Sequence, residues 1–307
     1  TAGRSTGIPN SGYSNTIDTF SFASDGNATD HGDLWYHIGF HTCSSSQDKG
    51  FTMGGASPNT GQPTIPSLPF AGSAHIIQFP FASTVTSSDT GYDLNPTGPS
   101  VNARDAGGNS STTHGYQSGG YQPFTNRIEK FPFALNANGT DVGDLTQARV
   151  IRTAQNASST SHGYQLGGAN PYPTQVYTMD KFPFTTDTNA TDVGDLQQDR
   201  LGVGGYNSST HGYAAGGTIG PYPNNSNQIE KFPFAVDGNT TDVGDLTQSR
   251  AGVTSVSSPV SGYTAGGSPP FQGGVNTIDK FPFASDANAT TVGVLTLPRA
   301  FIGSNQV

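Results

Sequence analysis

Three sets of side chains recur along this chain at spacings that could do chemistry. The first is an oxygen-rich loop, written Asp25-Gly-Asn27-Ala-Thr29-Asp30 in one copy and Asp187-Thr-Asn189-Ala-Thr191-Asp192 in another. Alternate oxygen side chains suit a hard cation, so Asp25, Asn27, Asp30, Asp187, Asn189 and Asp192 are candidate Ca²⁺ ligands. Against calcium stand the late glycine, the missing bidentate Glu, and a copy at Asp286 with no acid at Thr291 or Val294. Asn and Asp capping their own turns account for the same pattern. Asn27, Asn138, Asn189, Asn239 and Asn288 also open Asn-x-Thr triplets, glycan acceptors in a eukaryotic secretory setting.

The second set is Arg104, Arg149, Arg200, Arg250 and Arg299, one per repeat. Guanidinium groups in such an array could grip an anionic ligand, or pair with carboxylates and carbonyls between repeats. The third is Tyr121, Phe124, Tyr172, Tyr222 and Phe271, aromatics beside proline in segments that vary from repeat to repeat. Rigid rings held on loops are a platform for sugar rings or for a partner protein, or a cover for their own glycine-rich hairpins.

Catalytic constellations are poor. His114, His162 and His211 each precede a Gly-Tyr pair, one per repeat, which keeps them too far apart to share a zinc ion. Cys43 is the single cysteine and lies near His41, without further motif. The expectation is therefore a protein that is not an enzyme. A glycan-active hydrolase or lyase, or an oxidase, is the alternative, and it requires unique, converging His, Asp and Glu side chains.

Composition narrows the classes further. The 307 residues carry 13 Lys and Arg against 22 Asp and Glu, a net charge of −9, with no basic cluster. Binding to nucleic-acid phosphates is not expected. One cysteine excludes an internal disulfide framework, and no apolar run reaches the length of a membrane span. Gly (41) and Pro (21) are abundant and helix formers scarce, which points to a turn-rich all-β fold. The start at Thr1, without Met, suggests a trimmed or excised chain.

What must position these residues is a repeat. "FPF"-type pairs begin at Phe20, Phe79, Phe131, Phe182, Phe232 and Phe281, and "GYxxGG"-type segments include His114–Gly120, His162–Gly168, His211–Gly217 and Ser261–Gly267. Units of about fifty residues, each of four short strands separated by turn clusters, predict a β-propeller. The count predicts six blades in one domain over residues 1–307: 299–307 with 1–35, then 36–97, 98–147, 148–198, 199–248 and 249–298. Thr1–Arg4 matches "TAGG" at Thr264–Gly267, so the C-terminal strand is expected to complete the N-terminal blade and close the ring. The two phenylalanines of each pair should face a neighbouring blade.

The order Arg, glycine-rich strand, aromatic with Gly-Gly, "I-D-x-aromatic" strand and "D-L-x-x-x-R" resembles the kelch repeat, without its fourth-strand Trp. The phrase "DKFPFASDANAT" followed by "VGDL"-type text is similar to repeats in predicted structural and tail-fibre proteins of phages of the cyanophage type. These resemblances imply a virion-surface or extracellular module for attachment, decoration or assembly. Its partners would be other virion or surface proteins, or a cell-surface glycan, with no cofactor, nucleic acid or membrane insertion. An intracellular kelch-type adaptor is the alternative.

Overall fold

The computed structural model describes residues 4–5, 14–56, 74–84, 86–94, 104–121, 124–134, 137–152, 155–221 and 224–305. Among them every regular element is a strand, and the sheets form a β-propeller. Each blade is named here by the first phenylalanine of its FPF-type pair.

The Phe232 blade shows the pattern: Gly204–Asn207, His211–Ala215, Gln228–Pro233 and Thr241–Asp245 pair antiparallel in sequence order. The Phe79 blade (Thr42–Ser45, Lys49–Met53, His75–Pro80, Ser88–Asp93) and the Phe131 blade (Gly107–Ser110, His114–Ser118, Arg127–Pro132, Thr140–Asp144) repeat it. So does the Phe281 blade, with Thr254–Ser257, Ser261–Ala265, Val275–Pro282 and Thr290–Ala300. In the Phe182 blade the inner strand is reduced to a Ser158↔Gly163 bridge beside His162–Ala169, Gln175–Pro183 and Thr191–Asp195. Five blades thus carry the four-stranded pattern. Ser14–Thr19 and Thr29–Ile38 form a separate two-stranded sheet, the Phe20 sheet.

Proline ends each third strand, where its missing N–H costs little. The ladder passes at that point to the next residue: Phe133, Phe184 and Phe234 donate their N–H to Thr113, Ser161 and Thr210 in the first hairpin, at 2.9–3.0 Å. The paired rings then fill the joints between blades. Phe232 and Phe234 pack on Tyr164 of the preceding blade, centroids 5.1 and 5.2 Å apart, and Phe281 and Phe283 pack on Tyr213 at 5.8 and 4.7 Å. The isoleucine of each third strand, or Met179 in the Phe182 blade, faces the other way. Ile128 joins Tyr116 and Phe182 in one apolar cluster. A buried ring of this size contributes roughly 2–3 kcal/mol.

The glycine before each Tyr or Phe is required by the same packing. A Cβ on Gly212 would lie 2.2 Å from the Phe232 ring, and one on Gly115 would lie 2.3 Å from Phe131. The propeller axis is filled by small polar side chains. Ser255 Oγ donates to Gln155 O (3.0 Å), Ser304 Oγ to Ser255 O (2.7 Å), and Asn109 Nδ2 to Ala157 O (2.8 Å).

One register differs from the expectation. Arg4 pairs with Ala300, the rung taken by Ser268 with Ala251 and by Thr218 with Leu201. Arg4 therefore stands one position beyond the Gly-Gly pair, not on its second glycine.

Candidate functional site

Connections from fourth to first strands and from second to third strands share one face of the propeller, and the axial end of that face is where side chains converge. At its centre, Phe40 (φ 58°), Asp105 (58°), Arg152 (57°), Gly202 (72°), Gly252 (61°) and Phe301 (56°) all have left-handed backbone, five of them one residue past the rung of their blade and Arg152 two past Val150. Their peptides are linked in sequence around the axis. Phe301 N donates to Gly252 O (2.8 Å), Gly252 N to Gly202 O (3.3 Å), and Gly202 N to Ile151 O (3.2 Å). Arg152 N then donates to Asp105 O (3.0 Å), Asp105 N to Phe40 O (3.1 Å), and Phe40 N to Phe301 O (3.3 Å). Non-glycine residues resist this conformation, so four of them at one rim mark a place where side chains are retained at the expense of strain.

Those four side chains build a continuous array. Phe40 and Phe301 lie 5.1 Å apart, Arg152 stands over Phe40 (6.0 Å) and over Tyr172 (4.9 Å), and Tyr172 meets Tyr121 at 6.3 Å. Tyr121 in turn carries Arg104 over its face (5.2 Å) and Phe124 at its edge (5.3 Å). Asp105 takes the Nε of Arg152 at 3.0 Å, and Arg104 reaches the other oxygen at 4.0 Å. Burial raises the Asp105 carboxyl against the pull of those two cations. The two glycines leave the opposite side of the rim open. A cavity of about 840 Å³ opens there over Gly202 and Ala251, between Arg152 and Tyr172 on one side and Gln272, Gly274 and Phe301 on the other. Thr174, Gln175, Asn225 and Ser268 add hydroxyl and amide groups to its wall.

Of the aromatics expected from sequence, Tyr121, Phe124 and Tyr172 come together in this array, with Phe124 and Tyr172 exposed. Phe271 is 84 % exposed at φ 60°, next to the cavity residue Gln272. Tyr222 lies outside the described residues. Phe40, Asp105, Arg152 and Phe301 escaped the sequence reading because they are of three unlike residue types and Arg152 stands one residue further from its rung than the others. Counting two residues on from Arg200, Arg250 and Arg299 reaches Gly202, Gly252 and Phe301, but from Arg149 it reaches Ile151, one short of Arg152.

The arginines do other work. Arg149, Arg200, Arg250 and Arg299 are fully buried and pair with Asp180, Glu230, Asp279 and Asp18 on the third strand that follows, at 2.8 Å for Arg250 and 2.9 Å for Arg299. Each acid also accepts from the preceding blade. Asp180 takes the N–H and hydroxyl of Thr146 (3.0 and 2.7 Å), and Asp279 takes those of Thr247 (3.1 and 2.7 Å). These four arginines are inter-blade latches, withdrawn from any ligand.

Arg104 is not the fifth. It bridges to Tyr121 on the rung that Val150 shares with Ala169, one position past the latch, and this carries its side chain to the open face. The latch position there is Ala103, outside the described residues. The acid it would have met, Glu129, is buried, and desolvation pushes its pKa up to about 7 despite Arg127 at 3.6 Å. In the Phe79 blade the latch is apolar. Ile38 and Ile77, both 0 % exposed, share one cluster, and Ser87 Oγ accepts the Trp35 N–H (2.7 Å) in place of a carboxylate.

The oxygen-rich loops are also spoken for. Asn27 Oδ1 accepts from Val294 N (3.2 Å) and Asn189 Oδ1 from Asp144 N (3.1 Å), both across a blade joint. Asp25 and Asp187 pair with Lys280 (2.9 Å) and Lys130 (2.5 Å) of the neighbouring blade. Asp30 and Asp192 cap their own turns at Gly32 and Gly194. The six candidate ligands are thus distributed among three roles, and among the described residues no cluster of His, Cys, Asp or Glu gathers for a metal. His114, His162 and His211 bond through Nδ1 to the hydroxyls of Thr113, Ser161 and Thr210 at 2.8 Å. Cys43 and His41 are buried, and desolvation drives the thiol up to about 12 and the imidazole down to about 3, leaving both neutral. Among the described residues no helix is long and apolar enough to cross a membrane.

No protein-family model matches the chain, and no curated protein matches it.

Proposed function

We propose that this protein is a kelch-like propeller of six blades, its ring closed by the C-terminal strand, that binds through the axial cavity of its loop face and performs no catalysis. Closure is supported by the contacts of the Phe20 sheet on both sides. Toward the Phe281 blade, Arg299 pairs with Asp18, Ala28 N donates to Val294 O (2.8 Å), and Phe22 stacks on Tyr263 (4.9 Å). Toward the Phe79 blade, Ile17, Leu34 and Tyr36 cluster with Ile77 and Phe79. A cross-link tests it: Asp25→Cys with Lys280→Cys forms an intramolecular disulfide in a closed ring, and bonds only between molecules in an open one.

The observation that carries the binding reading is the cavity itself, walled by Tyr172 and Arg152 and lined by neutral hydroxyl and amide groups. A saccharide suits it: the ring stacks on an exposed aromatic and its hydroxyls meet fixed polar groups. The virion-surface or extracellular setting, with other virion or surface proteins as partners, rests on the phage-like repeat alone. A glycan array decides the ligand class. Retention of a glycan by the protein and its loss in Tyr172→Ala are expected; no retained glycan, or equal retention by the variant, overturns the reading.

A further inference from the structure

Arg152 is the single charged side chain on the wall of the axial cavity among the described residues; no Asp or Glu lines it there. Its guanidinium is held on three sides. Nε donates to Asp105 Oδ1 at 3.0 Å, and Cζ stands 6.0 Å from the centre of the Phe40 ring and 4.9 Å from that of Tyr172. The backbone beneath is fixed as well, because Arg152 N donates to Asp105 O (3.0 Å) at φ 57°. Nη1 and Nη2, by contrast, make no hydrogen bond among the described residues, and the side chain is 25 % exposed.

The charge is not cancelled at the rim. Asp105 is the acid that Arg152 meets, and its second oxygen also faces Arg104 at 4.0 Å. Among the described residues two guanidinium groups therefore share one carboxylate, which leaves a positive charge on a chain whose total is −9. A cation flanked by rings and already fixed in its rotamer has little ordering left to lose when an anion arrives. Its planar terminal edge matches the two oxygens of a carboxylate. A second group asks for a hydroxyl. Asn225, on the wall of the same cavity, donates through Nδ2 to Ser268 O (2.8 Å), and its buried Oδ1 has no donor among the described residues. An acceptor left so costs free energy that a ligand O–H would recover.

We propose that the ligand of the axial cavity is an acidic saccharide, with its carboxylate forked onto Nη1 and Nη2 of Arg152 and a hydroxyl donating to Asn225 Oδ1. Tyr172 supplies the surface for the sugar ring. The inference rests on the saccharide reading of this cavity and adds the charge of the sugar. A neutral sugar would cover the guanidinium edge without an anion to meet it, so the cavity selects against it. The volume of about 840 Å³ lies in the range of small-ligand pockets and admits the end of an oligosaccharide.

The test arrays uronate- and sialate-bearing glycans beside the same glycans with each carboxyl reduced to the alcohol, together with sulfated glycans. The protein is expected to retain carboxylated glycans, and in calorimetry to bind the reduced counterparts about tenfold or more weakly. Arg152→Lys, which keeps the charge and loses the fork, weakens the carboxylated glycan. Arg152→Gln brings it to the level of its reduced counterpart. Because Arg152 also partners Asp105, Gln272→Glu is a second variant, at an exposed position of the cavity wall. The added carboxylate weakens the carboxylated glycan more than the reduced one. Retention of uncharged or sulfated glycans alone, equal binding of a carboxylated glycan and its reduced form, or an undiminished preference in Arg152→Gln overturns the proposal and leaves the saccharide reading standing. Retention of no glycan removes both.

Discussion

Arg299 and Asp18 lie 281 residues apart in the chain, yet their side chains meet at 2.9 Å with neither exposed to solvent. The same latch recurs at Arg149, Arg200 and Arg250, and at Ile38 the molecule has replaced it with hydrocarbon.

Breaking a latch on one side strands a buried charge. Asp279→Ala is expected to cost about 3–5 kcal/mol. The Ile38–Ile77–Ser87 arrangement indicates the remedy at the equivalent positions. Arg250→Ile with Asp279→Ile and Ala289→Ser restores most of the loss, because the new hydroxyl takes over the Thr247 N–H. Urea midpoints of the single and triple variants check this, and a triple variant no better than the single one refutes it.

Glu129 is the acid that lost its latch, and its pH dependence has a definite sign. Its pKa in the folded protein, about 7, lies above the ordinary 4.5. Between those values the unfolded chain ionises and the folded one does not. Stability is therefore lost as pH rises from 4.5 to 7, and the loss levels off above. Glu129→Gln should gain on the order of 2–3 kcal/mol over wild type at pH 8 and almost nothing at pH 4. Parallel unfolding curves at the two pH values measure it.

Gly212 and Gly238 offer a matched contrast. A Cβ on Gly212 meets the Phe232 ring at 2.2 Å, while one on Gly238 meets nothing within 4 Å. Gly212→Ala should cost about 1–3 kcal/mol, a drop of several degrees in Tm. Gly238→Ala should be neutral or raise stability by up to about 1 kcal/mol. Calorimetric scans of the two variants separate packing from backbone entropy.

The oxygen-rich loops should respond to mutation and ignore chelators. Asn239 Oδ1 accepts the Asp195 N–H at 3.0 Å across a joint, so Asn239→Ala should cost about 1 kcal/mol. Excess EDTA or millimolar Ca²⁺ should leave Tm where it was, since those carboxylates and amides already have partners. A chelator-sensitive Tm would reinstate calcium.

Much of this was legible in the residues. The Phe pairs, the Gly before each Tyr and the spacing of about fifty residues dictate blades, because only one packing satisfies rings that recur at that period. The aromatics Tyr121, Phe124 and Tyr172 were legible as a loop platform because proline and ring recur there together. Register was not. The Arg104–His114 interval is one residue shorter than Arg200–His211, and a residue-type match hid the slip that sends Arg104 outward. The rim residues Phe40, Asp105, Arg152 and Phe301 share a backbone angle rather than a side chain, and sequence does not display angles.

The hydrogen bonds linking Phe301, Gly252, Gly202, Ile151, Arg152, Asp105 and Phe40 run from peptide to peptide. A fastening made of main chain is indifferent to what each residue carries. Rim side chains can therefore be exchanged without removing these bonds, at the strain a left-handed backbone imposes on any residue but glycine, while the aromatic joints outside the hub are made by the side chains themselves. Structural duty and recognition are thus inherited by different atoms of the same residues. New specificities would be expected to arise by substitution at positions 40, 105, 152, 202, 252 and 301 before any change in the blades.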